Sequence, residues 1–244
     1  MISVVIPAYN EERLLGATLA AVHAAAPAAG EPYEVVVADD ASTDRTAAVA
    51  ERGGARVVHV RHRQIAATRN AGARATAGDL LIFVDADTLV TAAAVRGAIA
   101  ALRGGAAGGG AALRFDDPVP RYARLLLPAV NRLYRAAGLA SGCFLFCTRP
   151  AFEAAGGFDE TLFGAEELAM SRGLRRQGRF VVLRDAVTTS GRKLRAYSGR
   201  EILTTLCRLG VRGRAGVRDR GGMDIWYGDR RDDPKDAGRT ASGV

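Results

Sequence analysis

Short β-branched runs alternate with alanine-rich stretches through the first 90 residues, and this alternation restricts the fold more than any other feature. Strands are predicted over 2–6, 34–38, 56–60 and 80–84, with helices over 12–25, 44–52 and 65–77 between them. Strand–helix alternation at this spacing is the signature of a parallel sheet covered by helices on both faces. Sheets of that class bind ligands beyond the carboxyl ends of their strands. The polar clusters fall at those ends: "PAYNEE" after the first strand, "DDASTD" after the second and "DAD" after the fourth.

The run "LLIFVDADTLV" poses the chemical question, because five apolar residues lead directly into Asp85 and Asp87. Ionised groups are costly to desolvate unless they are paired or bind metal. Residues i and i+2 of an extended segment point to one side, so both carboxylates can converge on a hard cation such as magnesium or manganese. Such an ion completes its shell with water and phosphate oxygens, so the site implies a nucleotide diphosphate as much as a metal. A solvated strand end that merely begins a turn is the plainer alternative. At Asp39 and Asp40, a carboxylate can accept from a base N–H or a ribose hydroxyl, with Tyr9 placed to stack on the base; Ser42 is expected to cap the helix that Asp44 helps to start. No Walker-type loop and no GxGxxG after a strand is present, which argues against P-loop and dinucleotide-dependent enzymes.

Beyond Asp87 the alternation loosens. The stretch 103–115, "RGGAAGGGAALRF", reads as a glycine-rich connection leading into a strand. Over 121–137 the pattern is an amphipathic helix with Leu126, Val130 and Leu133 on one stripe, either packed on the sheet or facing a membrane or an acceptor. A strand over 143–148, a helix over 165–177 and a strand over 179–183 follow. Cys143, Cys147 and Cys207 form no zinc or disulfide framework and read as thiols of a reducing compartment. No apolar run nears the roughly 20 residues needed to span a bilayer. A cytoplasmic location is therefore expected, at most peripheral to the inner face of the membrane. The net charge of +8 is concentrated in residues 192–220, where nine Lys or Arg face two acids. That bias suggests an anionic partner such as nucleic acid, phospholipid or a phosphorylated substrate. The end from Gly221 is polar and glycine-rich and is expected to fray.

Four blocks together resemble the family 2 glycosyltransferases of the GT-A fold: "SVVIPAYNEE" (3–12), "VVVADDASTD" (35–44), "AATRNAGARATAGDLLIFVDAD" (66–87) and "GGFDETLFGAEELAMSRGLRRQGR" (156–179). They occur in that family's order and spacing. The resemblance implies a single α/β domain of Rossmann-like character over 1–190, with a nucleotide-binding half (1–90) and an acceptor half (91–190), followed by a basic extension over 191–244. It implies transfer of a sugar, with inversion, from a nucleotide-diphosphate donor to an acceptor hydroxyl on a glycan, a lipid-linked molecule or a small molecule. Uridine donors are the commonest, and no nucleic-acid partner is expected. "DAD" matches the family's metal-binding motif, with Asp87 ligating a Mn or Mg ion and Asp85 facing the ribose or metal. Asp39 or Asp40 matches the base contact, Tyr9 packs on the base beside Pro7, and Arg69 steadies the diphosphate. Glu166 and Glu167 align with the family's acidic pair, Glu167 on the position of the general base. Many relatives supply a His after the base helix to complete the metal shell, yet His23, His59 and His62 all lie upstream. Ser190, Arg192 and Lys193 stand in the corresponding region, where the cations are expected to close over the diphosphate.

Two other classes share part of this pattern. A nucleotidyltransferase that makes the sugar nucleotide would open with a glycine-rich basic loop, which "PAYNEE" lacks. A non-catalytic nucleotide-sugar binding protein fits the charge but leaves "DAD" and "AEEL" unexplained.

Overall fold

The computed structural model describes residues 1–116, 118–221, 223–228 and 233, with 206, 208–212, 214 and 224 by backbone only. The predicted alternation is present. Strands β1 (Ile2–Ala8), β2 (Tyr33–Asp40), β3 (Arg56–Val60) and β4 (Leu80–Val84) run parallel in the order β3-β2-β1-β4. Helices α1 (Leu15–Ala25), α2 (Thr46–Arg52) and α3 (Ile65–Arg74) connect them. The period-2 alternation of β1 sends Val4 and Ile6 to one face, where they meet Leu15, Leu19 and Val22 of α1, and Val5 to the other, against Ala66 and Ala73 of α3. Both faces of the sheet are thus dry, as parallel strands require.

The second half of the chain extends the same sheet. After β5 (Thr88–Leu89) and α4 (Ala92–Arg103) come β6 (Ala106–Phe115), α5 (Arg121–Ala137), β7 (Phe144–Thr148), α6 (Arg149–Ala154), α7 (Glu166–Gln177) and β8 (Arg179–Thr189). The full order is β3-β2-β1-β4-β7-β6-β8-β5; β7 runs antiparallel to both β4 and β6, and β8 runs parallel to β6 and antiparallel to β5. This eight-stranded, mostly parallel sheet with helices on both faces is the expected fold class. Beyond it lie α8 (Arg192–Ala196), α9 (Gly199–Arg218), broken at Gly213, and α10 (Asp224–Tyr227).

Several elements differ from the sequence reading. Helix α4 went unread, because an alanine-rich run carries little periodic contrast, although Val95, Ile99 and Leu102 bury a clear stripe. Gly104 and Gly105 do form the expected connection, but Gly108, Gly109 and Gly110 belong to the body of β6. A Cβ on Gly109 would sit on the Val181 carbonyl and the Phe146 ring, and one on Gly108 would lie 2.8 Å from both Leu174 and the Phe146 carbonyl. Large neighbours on both sides demand the absent side chains. Ser42 does not cap α2: its Oγ accepts from the Asn10 N–H, and Asp44 Oδ1 accepts from the Thr46 N–H instead. Helix α1 starts three residues late, since the Glu11 carbonyl accepts from both Leu14 and Leu15. Cys143 and Cys147 are buried free thiols. In the segment expected to fray, Met223 is buried and Ile225 to Gly228 wall a cleft; residues 229–232 and 234–244 lie outside the described residues.

Candidate active site

Two loops at the carboxyl edge are stitched together first. Asn10 and Glu11 donate backbone N–H groups to Ser42 Oγ (3.0 Å) and Thr46 Oγ1 (2.7 Å), Glu12 donates to Asp44 Oδ2, and Thr43 donates to Asn10 Oδ1 (2.8 Å). The polar clusters after β1 and β2 therefore hold each other. Among the described residues, the non-glycine positions with positive φ are Asn10, Ala41, Arg63 and Ala165. They lie in the loops after β1 and β2, just before α3, and just before α7. Backbone held in this sparsely populated region is characteristic of shaped binding edges.

These loops border a cleft of about 1110 Å³, counting the open space at its mouth. Pro7 and Tyr9 from the first loop, Asp40 from the second, Asp85 and Asp87 from the fourth, and Arg192 and Lys193 from α8 all line it. The two members of the Asp39–Asp40 pair have different surroundings. Asp40 Oδ1 accepts the His62 and Arg63 N–H groups, and Oδ2 accepts from Gln64 N–H and Thr68 Oγ1, which fixes the turn into α3. Asp39 bonds His59 Nδ1 through Oδ2 (3.2 Å), while its Oδ1 is buried with no hydrogen-bond partner among the described residues. The ring of Tyr9 carries the Arg63 guanidinium 3.4 Å from its centroid.

Arg69 is not where the reading expected it. It lies almost wholly buried beneath the cleft, donating to Asp85 Oδ1 (2.7 Å), to Glu166 Oε1 (2.9 Å) and to the Gly142 carbonyl (2.9 Å). Both terminal nitrogens donate to protein acceptors, while Nε is buried with no partner among the described residues. The guanidinium ties the end of β4 to the start of α7 instead. Glu166 is buried against it, and Glu167, one residue on, has no such partner. Burial first, and then the neighbouring Glu166 charge, raise the Glu167 carboxyl to about 8. The helix N-terminus and Arg69 oppose that shift and lose.

Arg192 is likewise engaged. Its Nη1 donates to Glu11 Oε2 (2.8 Å), and its Nη2 pairs with Glu11 Oε1 and lies 3.3 Å from Asp87 Oδ2. Glu11 was missed in the sequence, where it reads as one more acid of "PAYNEE". Its charge, second to burial, pushes the Asp87 carboxyl up to about 6. Lys193 stands with Nζ 5.8 Å from the Trp226 ring centre, its pKa lowered by burial. Trp226 and Tyr227 also wall the cleft, contributions that no sequence motif signals.

The family model for glycosyl transferase family 2 matches residues 3–152. The chain belongs to that family. Among curated relatives of this family 2 glycosyltransferase, an undecaprenyl-phosphate 4-deoxy-4-formamido-L-arabinose transferase of Pseudomonas paraeruginosa is 44% identical over 94 residues. That match covers 36% of this chain and 28% of the relative, so the chain spans little more than a quarter of the relative's length. The mannosyltransferase PcManGT from Pyrobaculum calidifontis, solved with GDP-Man and Mn2+, has a TM-score of 0.66 at 20% identity over 86% of this chain and 61% of its own. Glucosyl-3-phosphoglycerate synthase from Mycobacterium tuberculosis, solved with Mn2+, UDP and glucosyl-3-phosphoglycerate, gives 0.60 at 22% identity over 91% and 82%. The fold of the family 2 chain is the GT-A fold of these neighbours.

The donor set at "DAD" fits a divalent ion in part. Burial raises the Asp87 carboxyl first, and the Glu11 and Asp85 charges add to it while Arg192 and Lys193 oppose it. Among the described residues, no three His, Cys, Asp or Glu converge as a complete protein cage. His23 is held by Tyr33 and Gly53 and does not line the cleft, and His59 is held by Asp39. Two carboxylates with a phosphate ligand are the usual arrangement for magnesium-like ions.

Proposed function

We propose that this family 2 glycosyltransferase moves a sugar, with inversion, from a nucleotide-diphosphate donor, a UDP-sugar first, to an acceptor hydroxyl. The observation that carries the reading is the Arg69 bridge, which ties Asp85, in the wall of the cleft, to Glu166 at the start of α7. Asp39, with its unpartnered buried Oδ1, supplies an acceptor for the base or ribose, and Tyr9 a stacking face once Arg63 swings aside. Asp87 and Asp85 would hold a Mn or Mg ion, which when bound supplies Lewis-acid compensation for the leaving diphosphate. Glu11 and Arg192 set the charge balance beside them, and Lys193 faces the same cleft.

Glu167 takes the proton of the acceptor hydroxyl as its oxygen bonds the anomeric carbon. The bond from that carbon to the diphosphate oxygen breaks, and its electron pair leaves with the nucleoside diphosphate. Glu166 is locked to Arg69, and its charge adds to the burial that keeps its neighbour basic. One curated relative is named an undecaprenyl-phosphate 4-deoxy-4-formamido-L-arabinose transferase, which motivates including lipid-linked acceptors among candidates.

The test is release of nucleoside diphosphate from a panel of sugar nucleotides with manganese, with the anomeric configuration of the product read by NMR. Asp87→Ala should cut turnover at least about 100-fold while circular dichroism stays unchanged, since a strand-end carboxylate adds little to the core. Pyrophosphate exchange would identify a nucleotidyltransferase instead, and binding without either reaction a non-catalytic module.

A further inference from the structure

Helix α5 is amphipathic in the unusual sense that its apolar stripe faces outward. Tyr122, Leu125, Leu126, Val130 and Leu133 recur at i, i+3, i+4, i+8 and i+11, the spacing of one helical face. They are 41%, 79%, 59%, 37% and 65% exposed. The helix is held from its other side, where Ala123 is buried and Asn131 exchanges two hydrogen bonds with the backbone of Leu113 (2.9 and 3.1 Å). At its end, Arg175 of α7 donates to the Ala137 carbonyl (2.7 Å). Firm anchorage on one face and five exposed large side chains on the other mean that the stripe is no frayed core.

The charge of the same helix narrows the occupant. Arg121, Arg124, Arg132 and Arg135 are its only charged residues. The start of α9 joins the surface: a Cβ on Gly199 would lie 3.6 Å from the Tyr122 ring, and the following turn adds Arg200 and Leu203, the latter 61% exposed. We propose that α5, with the first turn of α9, seats the protein on an anionic phospholipid bilayer, apolar ridge in the acyl boundary and the exposed Arg121, Arg132 and Arg200 among the headgroups. A helix rich in arginine on one flank and leucine on another is built for that plane. A second copy fits less well, since pairing two such helices would set arginine against arginine, α5 itself carrying no acid. The surface lies beside the base helix: the Tyr134 phenol, on the packed side of α5, is pushed up by burial and then by the Glu167 charge. Docking would therefore present the acceptor side of the cleft to the lipid surface, and only this last consequence rests on the transferase reading.

Vesicle flotation of the full chain tests it, with phosphatidylcholine alone against phosphatidylcholine mixed with phosphatidylglycerol. Capture by the anionic vesicles, weakening with salt, is expected. Arg121→Gln with Arg132→Gln should lower the affinity about thirtyfold, at about fivefold per arginine, and Leu126→Glu with Leu133→Glu should lower it at least about tenfold. Donor-induced thermal stabilisation should be unchanged in both double variants, so a failure of donor binding would count against the proposed function alone. Equal capture by both vesicle types, no capture of the wild type, or capture unaltered by the arginine variant would each overturn the membrane assignment. A wild-type dimer in sedimentation velocity that the leucine variant abolishes would overturn it in favour of self-association.

Discussion

At the scale of single residues, the two adjacent acids of α7 should separate cleanly by experiment. Glu167→Gln keeps shape but cannot accept a proton, so donor binding should survive while transfer falls at least about 100-fold. In the wild type, kcat/KM should climb as pH rises through about 8, where Glu167 loses its proton, and then level. The same residue makes a stability prediction with the opposite sense. Its carboxyl is raised on folding, so the native state binds the extra proton more tightly, and stability is lost as pH rises from the unfolded value towards about 8. Glu167→Gln should therefore melt above the wild type, with a gap that widens between pH 5 and 8 to about 2–4 °C if the relief is about 1 kcal/mol. Glu166→Gln should do the reverse. It strips one partner from a buried guanidinium, and a loss of about 3 kcal/mol is expected in urea unfolding.

Single elements carry their own test, and β6 is the sharpest. Its glycines let β7 and β8 approach with Phe146, Leu174 and Val181 crowding where side chains would stand. Gly109→Ala should cost about 3 kcal/mol, seen as a lowered melting temperature, because both the Val181 backbone and the Phe146 ring would have to move. Gly105 has positive φ with open space around it, so Gly105→Ala probes only the backbone and should cost about 1 kcal/mol. The contrast separates crowding from conformation within one strand and the turn before it.

For the molecule as a whole, the described C-terminal residues complete the first half's cleft. Met223 is buried against Gly164, Tyr227 meets Phe163 edge to face at 5.6 Å, and Arg195 pairs with both Asp116 and Asp233. Loss of such a wall should weaken donor binding more than it slows chemistry. Met223→Ala should lower stability by about 2–3 kcal/mol, and Trp226→Ala should raise the donor Kd about tenfold with a smaller change in kcat, by calorimetric titration.

Residue pattern alone was enough to lay out the parallel half of the sheet, its helices and the strand ends that carry Asp39, Asp40, Asp85 and Asp87. Those features are local: period-2 apolar runs, helical alanine stretches and acids that no core would accept. It also placed Glu166 and Glu167 on a helix start, through the resemblance of their block. What each group does with its neighbours emerges only from the folded arrangement. Arg69 reads as a phosphate contact in "TRNAG", yet folding buries it between Asp85 and Glu166, residues 16 and 97 positions away. Arg192 reads as a closing cation, yet it meets Glu11 across 181 positions. Gly108, Gly109 and Gly110 read as part of a connection into a strand, yet they are strand themselves, with Phe146 and Val181 against them. Ion pairing, burial and steric exclusion depend on distances between residues remote along the chain, and local pattern contains none of those distances.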